Sequence, residues 1–232
     1  MITAISYLWK GLKLLTTPAL RPFVLMPLLI NVVLYSVAVM LGYFYLNHLI
    51  IQIIPESLHW LTWLIYPLFF VSFCAIGFFT FSLLANLIAA PFYAKLAAKT
   101  LVVIDAPSLP TFEPSTIQVW KAEFNRLRYS LTHMLPLLIL FLIPVVNLIA
   151  PILWFGFSAW CMALEYFAYS QENRGVLFPE QKEQLRQMRF QALSFGGLVT
   201  IGQALPVINI VIAPVAVIAA TLQVHAKTEI SN

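Results

Sequence analysis

FLIPVVNLIAP, from Phe141 to Pro151, and ALPVINIVIAP, from Ala204 to Pro214, set a proline, two apolar residues and an asparagine inside otherwise greasy runs. NLIAAP, from Asn86 to Pro91, echoes their second halves. Proline has no amide donor and clashes with the preceding turn, so each is expected to end or kink a helix. The arms around the first PVxN step are Tyr129–Ile143 and Leu148–Leu164; those around the second are Phe190–Leu205 and Ile210–Val224. Each arm reaches about 22–26 Å by helical rise, short of the roughly 30 Å hydrocarbon core of a bilayer. Either each unit is one kinked span, or each is a hairpin that enters and leaves on the same side.

Working outward, the membrane setting rests on composition. Of 232 residues, 61% are apolar and only 9% charged, against about 25% charged in ordinary soluble domains. Between Pro22 and Ala94 the single formal charge is Glu56, and eighteen or more uncharged apolar residues read as a bilayer span. Residues 23–54 and 61–92 are the two clearest helices, joined by a turn at Pro55-Glu56-Ser57 and flanked by Trp60 and Trp63 at interfacial positions. Ile5, Leu8, Trp9, Leu12 and Leu15 share a helical spacing ahead of them, which predicts an interfacial amphipathic helix. Lys10 and Lys13 precede an apolar run too long for a signal-peptide core, so no cleavable leader is expected.

Charge chooses between the two readings of the hairpins. Lys10, Lys13 and Arg21 precede the first span, and Lys95, Lys99, Lys121, Arg126 and Arg128 follow the second, while the turn at Glu56 carries no lysine or arginine. The positive-inside rule puts both ends of this pair in the cytoplasm. Kinked spans would strand Arg174, Lys182, Arg186 and Arg189 outside; hairpins keep all 13 basic residues inside. The expected fold is therefore an all-α integral membrane protein, with two long transmembrane helices and two re-entrant, partly penetrating helical hairpins. It forms one membrane domain over 1–232: an interfacial helix 1–16, long helices 18–54 and 61–100, and a cytoplasmic loop 101–120. A first hairpin 121–170, a short charged helix 178–189 and a second hairpin 190–226 complete it. Broken backbone at membrane depth must be buried in protein or line water, which places the two tips at an interior or an aqueous path.

Five stretches also carry a resemblance: TTPALRPFVLMPLLIN from Thr16, NLIAAPF from Asn86, LILFLIPVVNLIAPILWFGFSAW from Leu138, FQALSFGGL from Phe190 and LPVINIVIAPVAVIAAT from Leu205. Together they resemble the CysZ-type sulfate permeases of bacterial inner membranes, over about Trp9 to Thr221. The resemblance implies sulfate (or sulfite) uptake for cysteine synthesis, as a channel or permease, and a homo-oligomer. It also implies an anion-binding stretch, Gly-x-Arg-Arg in the family, which falls here on Ala19-Leu20-Arg21-Pro22. Only Arg21 matches a signature position, with Leu20 in the variable place; the glycine and the second arginine are absent.

The candidate site follows from what a dianion needs: binding strong enough to admit it and weak enough to release it. Helix N-termini and arginines suit that task, so Leu20 and Arg21 are the candidate anion-binding residues. Lys121, Glu123, Arg126 and Arg128 form a candidate electrostatic network, in which Glu123 and Arg126 can pair three residues apart on a helix. Asn147 and Asn209 are expected to cap or cross-link the hairpin tips. Glu165 interrupts CMALEYFAY as a candidate proton-coupling group or arginine partner, and His133 is expected to pack or hydrogen-bond. Cys74 and Cys161 sit in apolar segments as packed thiols. No CxxC, HExxH, GxSxG or Walker pattern is present, so neither an enzyme nor a metal or other cofactor is expected. The histidines show no ligand spacing. The +4 charge is dispersed among apolar segments, which reads as orientation and lipid contact rather than nucleic-acid binding. A non-transporting oligomeric membrane scaffold is the competing reading.

Overall fold

The structure is a computed structural model that describes residues 2–53, 60–106 and 115–231. The turn expected at Pro55-Glu56-Ser57, His59 and most of the loop before Ser115 lie outside the described residues, as do the side chains of Cys74 and Asn86. All regular structure among the described residues is helical. In chain order the helices are α1 (Ile2–Leu15), α2 (Pro22–Ile53), α3 (Thr62–Val103), α4 (Thr116–Leu140), α5 (Ala150–Glu172), α6 (Glu180–Gln187), α7 (Arg189–Ala204) and α8 (Pro206–Ser231). They fall into two compact units, Pro22–Phe92 and the remainder of the chain.

The first unit comprises α2 and the greater part of α3. Pro22–Tyr45 has a mean hydropathy of 2.4 and is long enough to cross a bilayer. Its large apolar side chains, Met40 and Leu41 among them, point outward, the reverse of what a soluble core demands. Gly42 lets α2 approach α3: a Cβ there would lie 2.8 Å from the Phe73 ring.

The second unit is a helical core in which α5, α7 and α8 pack together and α1 lies along α8. Small residues set these contacts. A Cβ on Gly196 of α7 would sit 1.8 Å from the Ala159 carbonyl oxygen of α5, and one on Gly11 of α1 would sit 2.8 Å from that of Val215. In lipid, packing and hydrogen bonding replace the hydrophobic drive between helices, so such small-residue contacts carry the association. Larger side chains fill the remainder, with Phe167 and Phe195 edge to face at 5.1 Å and Val217–Thr221 fully buried. In α1 the small residues Ala4 and Gly11 are buried, while Ile5, Trp9 and Leu12 stay exposed.

Prolines divide into two kinds. Pro91 and Pro214 lie inside continuous helices, so neither of them ends its helix. A proline removes only one backbone bond, which neighbouring helices can compensate, and Pro214 is fully buried among them. The chain breaks instead at Pro144 and Pro206. Val145 adopts φ 71°, a short 3-10 turn follows at Val146–Leu148, and Pro206 opens α8. Both tips close alike: the Asn147 amide donates to the Ile143 carbonyl at 3.0 Å, and the Asn209 amide to that of Leu205 at 2.8 Å. The backbone amide thus does what was expected of the asparagine side chain. Both side chains are exposed and show no hydrogen bond among the described residues. Three arms, α4, α5 and α8, are longer than the apolar pattern suggested, α4 running N-terminally through its charged turns to a capping box at Ser115 and Gln118, while α7 has the expected length.

The glycine contacts make a paired prediction. Gly196→Ala should destabilise the detergent-solubilised protein by about 1–3 kcal/mol through overpacking. Gly197→Ala, whose Cβ would meet nothing closer than 3.7 Å, should leave the thermal midpoint nearly unchanged. Equal midpoints for the two variants would refute the close-packing account.

Candidate functional site

Arg126 is brought to the junction of three helices. It stands on α4, where Glu123 precedes it by one turn and pairs with it at 2.9 Å. Its Nη2 reaches Glu172 at the end of α5 at 2.8 Å and donates to Gln181 Oε1 of α6 at 2.8 Å. Gln181 is fully buried and donates in turn to the Val176 carbonyl at 2.9 Å. The Arg126 side chain is 17% exposed, so its bonds are shielded from competing water and weigh more than those of a surface pair. Two carboxylates against one guanidinium leave the junction with a formal charge of −1. Partial burial pushes Glu123 above the usual carboxylate range; Arg126 pulls it down and Glu172 adds to the rise. Glu165 of α5 also lies within the electrostatic reach of Arg126 and Glu123.

Beside this junction, α4 and the start of α6 enclose a cleft of about 340 Å³ lined by Arg128, Thr132, His133 and Lys182, with Asn125, Tyr129, Phe178 and Pro179. Lys182 rests over the Tyr129 ring at 5.0 Å and the Phe178 ring at 5.9 Å, an arrangement that holds a cation by attraction to the ring faces. Tyr129 is itself fixed by Trp160 Nε1, which donates to its hydroxyl at 3.2 Å. His133 Nδ1 lies 2.8 Å from the Tyr129 carbonyl. No carboxylate is among the residues lining the cleft. Chemically it offers two permanent cations, a hydroxyl and an imidazole to a small anion.

The expected network is thus only partly assembled. Glu123 and Arg126 meet, and Arg128 faces the basic cleft, whereas Lys121 is exposed, with no ion pair seen among the described residues. Leu20 is fully buried, and Arg21 is exposed with its Nε donating to the Thr16 carbonyl at 2.8 Å. The Leu20 and Arg21 amides already donate to the Thr17 carbonyl at 3.2 Å, so the guanidinium Nη groups are what that turn offers an anion. Glu172, Gln181 and Lys182 were not among the sequence candidates. Glu172 and Gln181 are 46 and 55 residues from Arg126, beyond any helical periodicity; a glutamate ending an apolar arm was the one available signal.

Comparison with known proteins gives a consistent result. A family model described as Sulfate transporter CysZ/Etoposide-induced protein 2.4 matches residues 7–214. A Sulfate transporter CysZ of Pseudomonas fluorescens (strain Pf0-1) is 41% identical over 94% of this chain and 90% of its own length. That of Pseudomonas syringae pv. tomato is 40% identical over 95% and 91%, and that of Pectobacterium atrosepticum 36% identical over 94% and 83%.

The raised Glu123 fixes the sign of a pH effect. A carboxyl whose folded pKa exceeds its unfolded value binds its proton more tightly when folded, so its contribution to stability fades as pH rises through the folded pKa. The thermal midpoint of the wild type minus that of Glu123→Gln should therefore fall from mildly acidic to neutral pH. A difference that grows over that range would contradict the assignment.

Proposed function

The chain belongs to the sulfate transporter CysZ/etoposide-induced protein 2.4 family, and on that premise we propose that it carries sulfate into a bacterial cell across the inner membrane, as a non-enzymatic channel or permease. The observation that carries the reading is the family match over residues 7–214, together with relatives named as sulfate transporters that align along nearly their whole length. The basic cleft of Arg128, His133 and Lys182 supports it, because a desolvated dianion needs several donors and no competing carboxylate. The Arg126 junction, one charge negative, tempers the neighbouring positive field, so that an anion is attracted without being trapped. Leu20 and Arg21 serve as an entry point: the buried leucine anchors the turn and the guanidinium meets the ion. Lys121 adds to the positive approach from solvent. The same chemistry admits sulfite.

The hairpins α4–α5 and α7–α8 are re-entrant in this reading, dipping from the cytoplasmic side, where both termini also lie. Helix length no longer argues for this, since α4 and α8 would span about 38 Å each by helical rise; the distribution of basic residues does. The Asn147 and Asn209 tips, exposed within one chain, meet neighbouring copies in a homo-oligomer or line its water-filled path, with lipid around the outer faces.

Two measurements test these proposals. Vesicles containing the purified protein should take up radiolabelled sulfate faster than empty ones, and Arg128→Ala/Lys182→Ala should cut the rate at least about tenfold, as the loss of about 1.4 kcal/mol of barrier stabilisation would. Uptake no faster than in empty vesicles, with folding confirmed, would leave the scaffold reading in its place. For topology, a cysteine substituted for Gln187 should resist an impermeant thiol reagent in intact cells, and its ready labelling from outside would rule out the re-entrant hairpins.

A further inference from the structure

A second basic cleft lies elsewhere in the same unit, where α1, the start of α7 and the C-terminal part of α8 converge. It measures about 810 Å³ and is lined by Tyr7, Arg186, Arg189, Gln223 and Lys227, with Met188, Phe190 and Ala226 among the apolar remainder. Three permanent cations face it and no carboxylate is among its lining residues. Glu180 and Glu183 line an adjoining cleft that Lys227 also borders, and Glu183 pairs with Arg186 at 3.4 Å where both side chains are well exposed. Such a pair is worth little. Among the described residues Lys227 meets only a methionine sulfur, that of Met188, at 3.9 Å, and Arg189 lies over the Phe190 ring at 5.1 Å.

Two further observations point to an anion. Gln223 is only 6% exposed, and its amide nitrogen has no hydrogen-bond partner among the described residues. A buried donor of that kind costs roughly 1–3 kcal/mol unless something accepts from it. Moreover, α7 starts at Arg189 with no side-chain cap, and its first-turn residues Arg189, Phe190 and Gln191 line the cleft, at the helix end whose free amides favour an anion. The surroundings are amphipathic: Phe190 is 75% exposed at the rim, and on α1 the exposed Ile5, Trp9 and Leu12 accompany Lys10 and Lys13, with Lys13 over the Trp9 ring at 5.7 Å.

We propose that this cleft is a binding site for a phosphate-type oxyanion, carried on the headgroup of an anionic phospholipid whose acyl chains lie along Phe190 and the outer face of α1. It is separate from the Arg128–Lys182 cleft and does not depend on the transport reading. The headgroup phosphate accepts from Arg189, Lys227 and the first amides of α7, and its charge answers these two cations, which show no ion pair among the described residues, beside an Arg186 whose pairing with Glu183 is exposed. Bound there, the lipid fastens α1 against α7 and α8 at the membrane surface.

The test is lipid binding by the purified full chain, followed by native mass spectrometry and thermal shift in neutral detergent with added phosphatidylglycerol, phosphatidylcholine or inorganic phosphate. Phosphatidylglycerol should bind and raise the midpoint, and phosphatidylcholine should bind far more weakly. At about 1 kcal/mol per basic residue near an anionic surface, Arg189→Gln/Lys227→Gln should weaken phosphatidylglycerol binding roughly thirtyfold. Lys95→Gln/Lys99→Gln, which removes the same charge from exposed positions on α3, should bind as the wild type does. If inorganic phosphate stabilises the wild type as well as the lipid does, and the double variant loses that too, the site stands with a soluble oxyanion as its ligand. Binding that is unchanged in Arg189→Gln/Lys227→Gln, or lowered equally in the α3 control, overturns the proposal.

Discussion

The arrangement of the second unit turns on one guanidinium whose Nη groups are kept paired away from bulk water, while its buried Nε has no hydrogen-bond partner among the described residues. Arg126 has few routes to that end, and its partners come from three helices: Glu123 from its own, Glu172 from the end of α5 and Gln181 from α6. An unpaired charge held away from water is costly, so the need for these carboxylates fixes where α4 ends up relative to α5 and α6. Three further points hold the α4–α5 pair: the Trp160–Tyr129 hydrogen bond, the stacked His133–Phe157 rings at 6.4 Å and the edge-to-face Phe141–Trp154 contact at 6.0 Å near the tip. With α4 and α6 so fixed, Arg128 and Lys182 are brought to one cleft from positions 54 residues apart, by their numbering.

Electrostatics alone does not build the scaffold. The close approach of α5 and α7 is permitted by Ala159, Ala163 and Gly196, that of α7 and α8 by Gly202 against Ile212, and that of α1 to α8 by Gly11 and Ala219. Polar residues then pin the packed helices at a few points: Gln203 donates to the Tyr166 hydroxyl at 2.6 Å, and Asn173 to the Ala94 carbonyl at 3.0 Å. Packing chooses the neighbours, while the hydrogen bonds choose their register.

Helix content, the paired PVxN breaks and the family resemblance were legible in the sequence, because each is written locally. Apolar runs, a proline followed three residues later by asparagine, and motifs in a fixed order need no knowledge of tertiary contacts. That Pro91 and Pro214 do not end their helices was not legible, because whether a missing amide breaks a helix depends on the neighbours that surround it, and sequence alone does not show them. Lys121–Arg128 interrupts the apolar pattern without interrupting the helix, and the spacing of Glu123 and Arg126 was the sign that this segment belongs to the first hairpin. Of the candidate site, Glu123 and Arg126 were legible because they lie one turn apart. Glu172 and Gln181 were not, since only folding brings them to the same guanidinium. The asparagines illustrate a different limit: their place at the tips was plain, but that the backbone amide and not the side chain closes each turn is a matter of conformation.

If Arg126 and Glu172 together fix α4 against α5 and so hold the basic cleft open to sulfate, the two residues must be energetically coupled. A double-mutant cycle with Arg126→Met, Glu172→Gln and the combined variant, read by thermal stability and by sulfate uptake in vesicles, measures that coupling directly. The prediction is an interaction of at least about 1 kcal/mol in stability, with the combined variant losing less than the sum of the two singles and uptake following the same order. Strictly additive losses, or full uptake in all three variants, would contradict the claim that this ion pair organises the site.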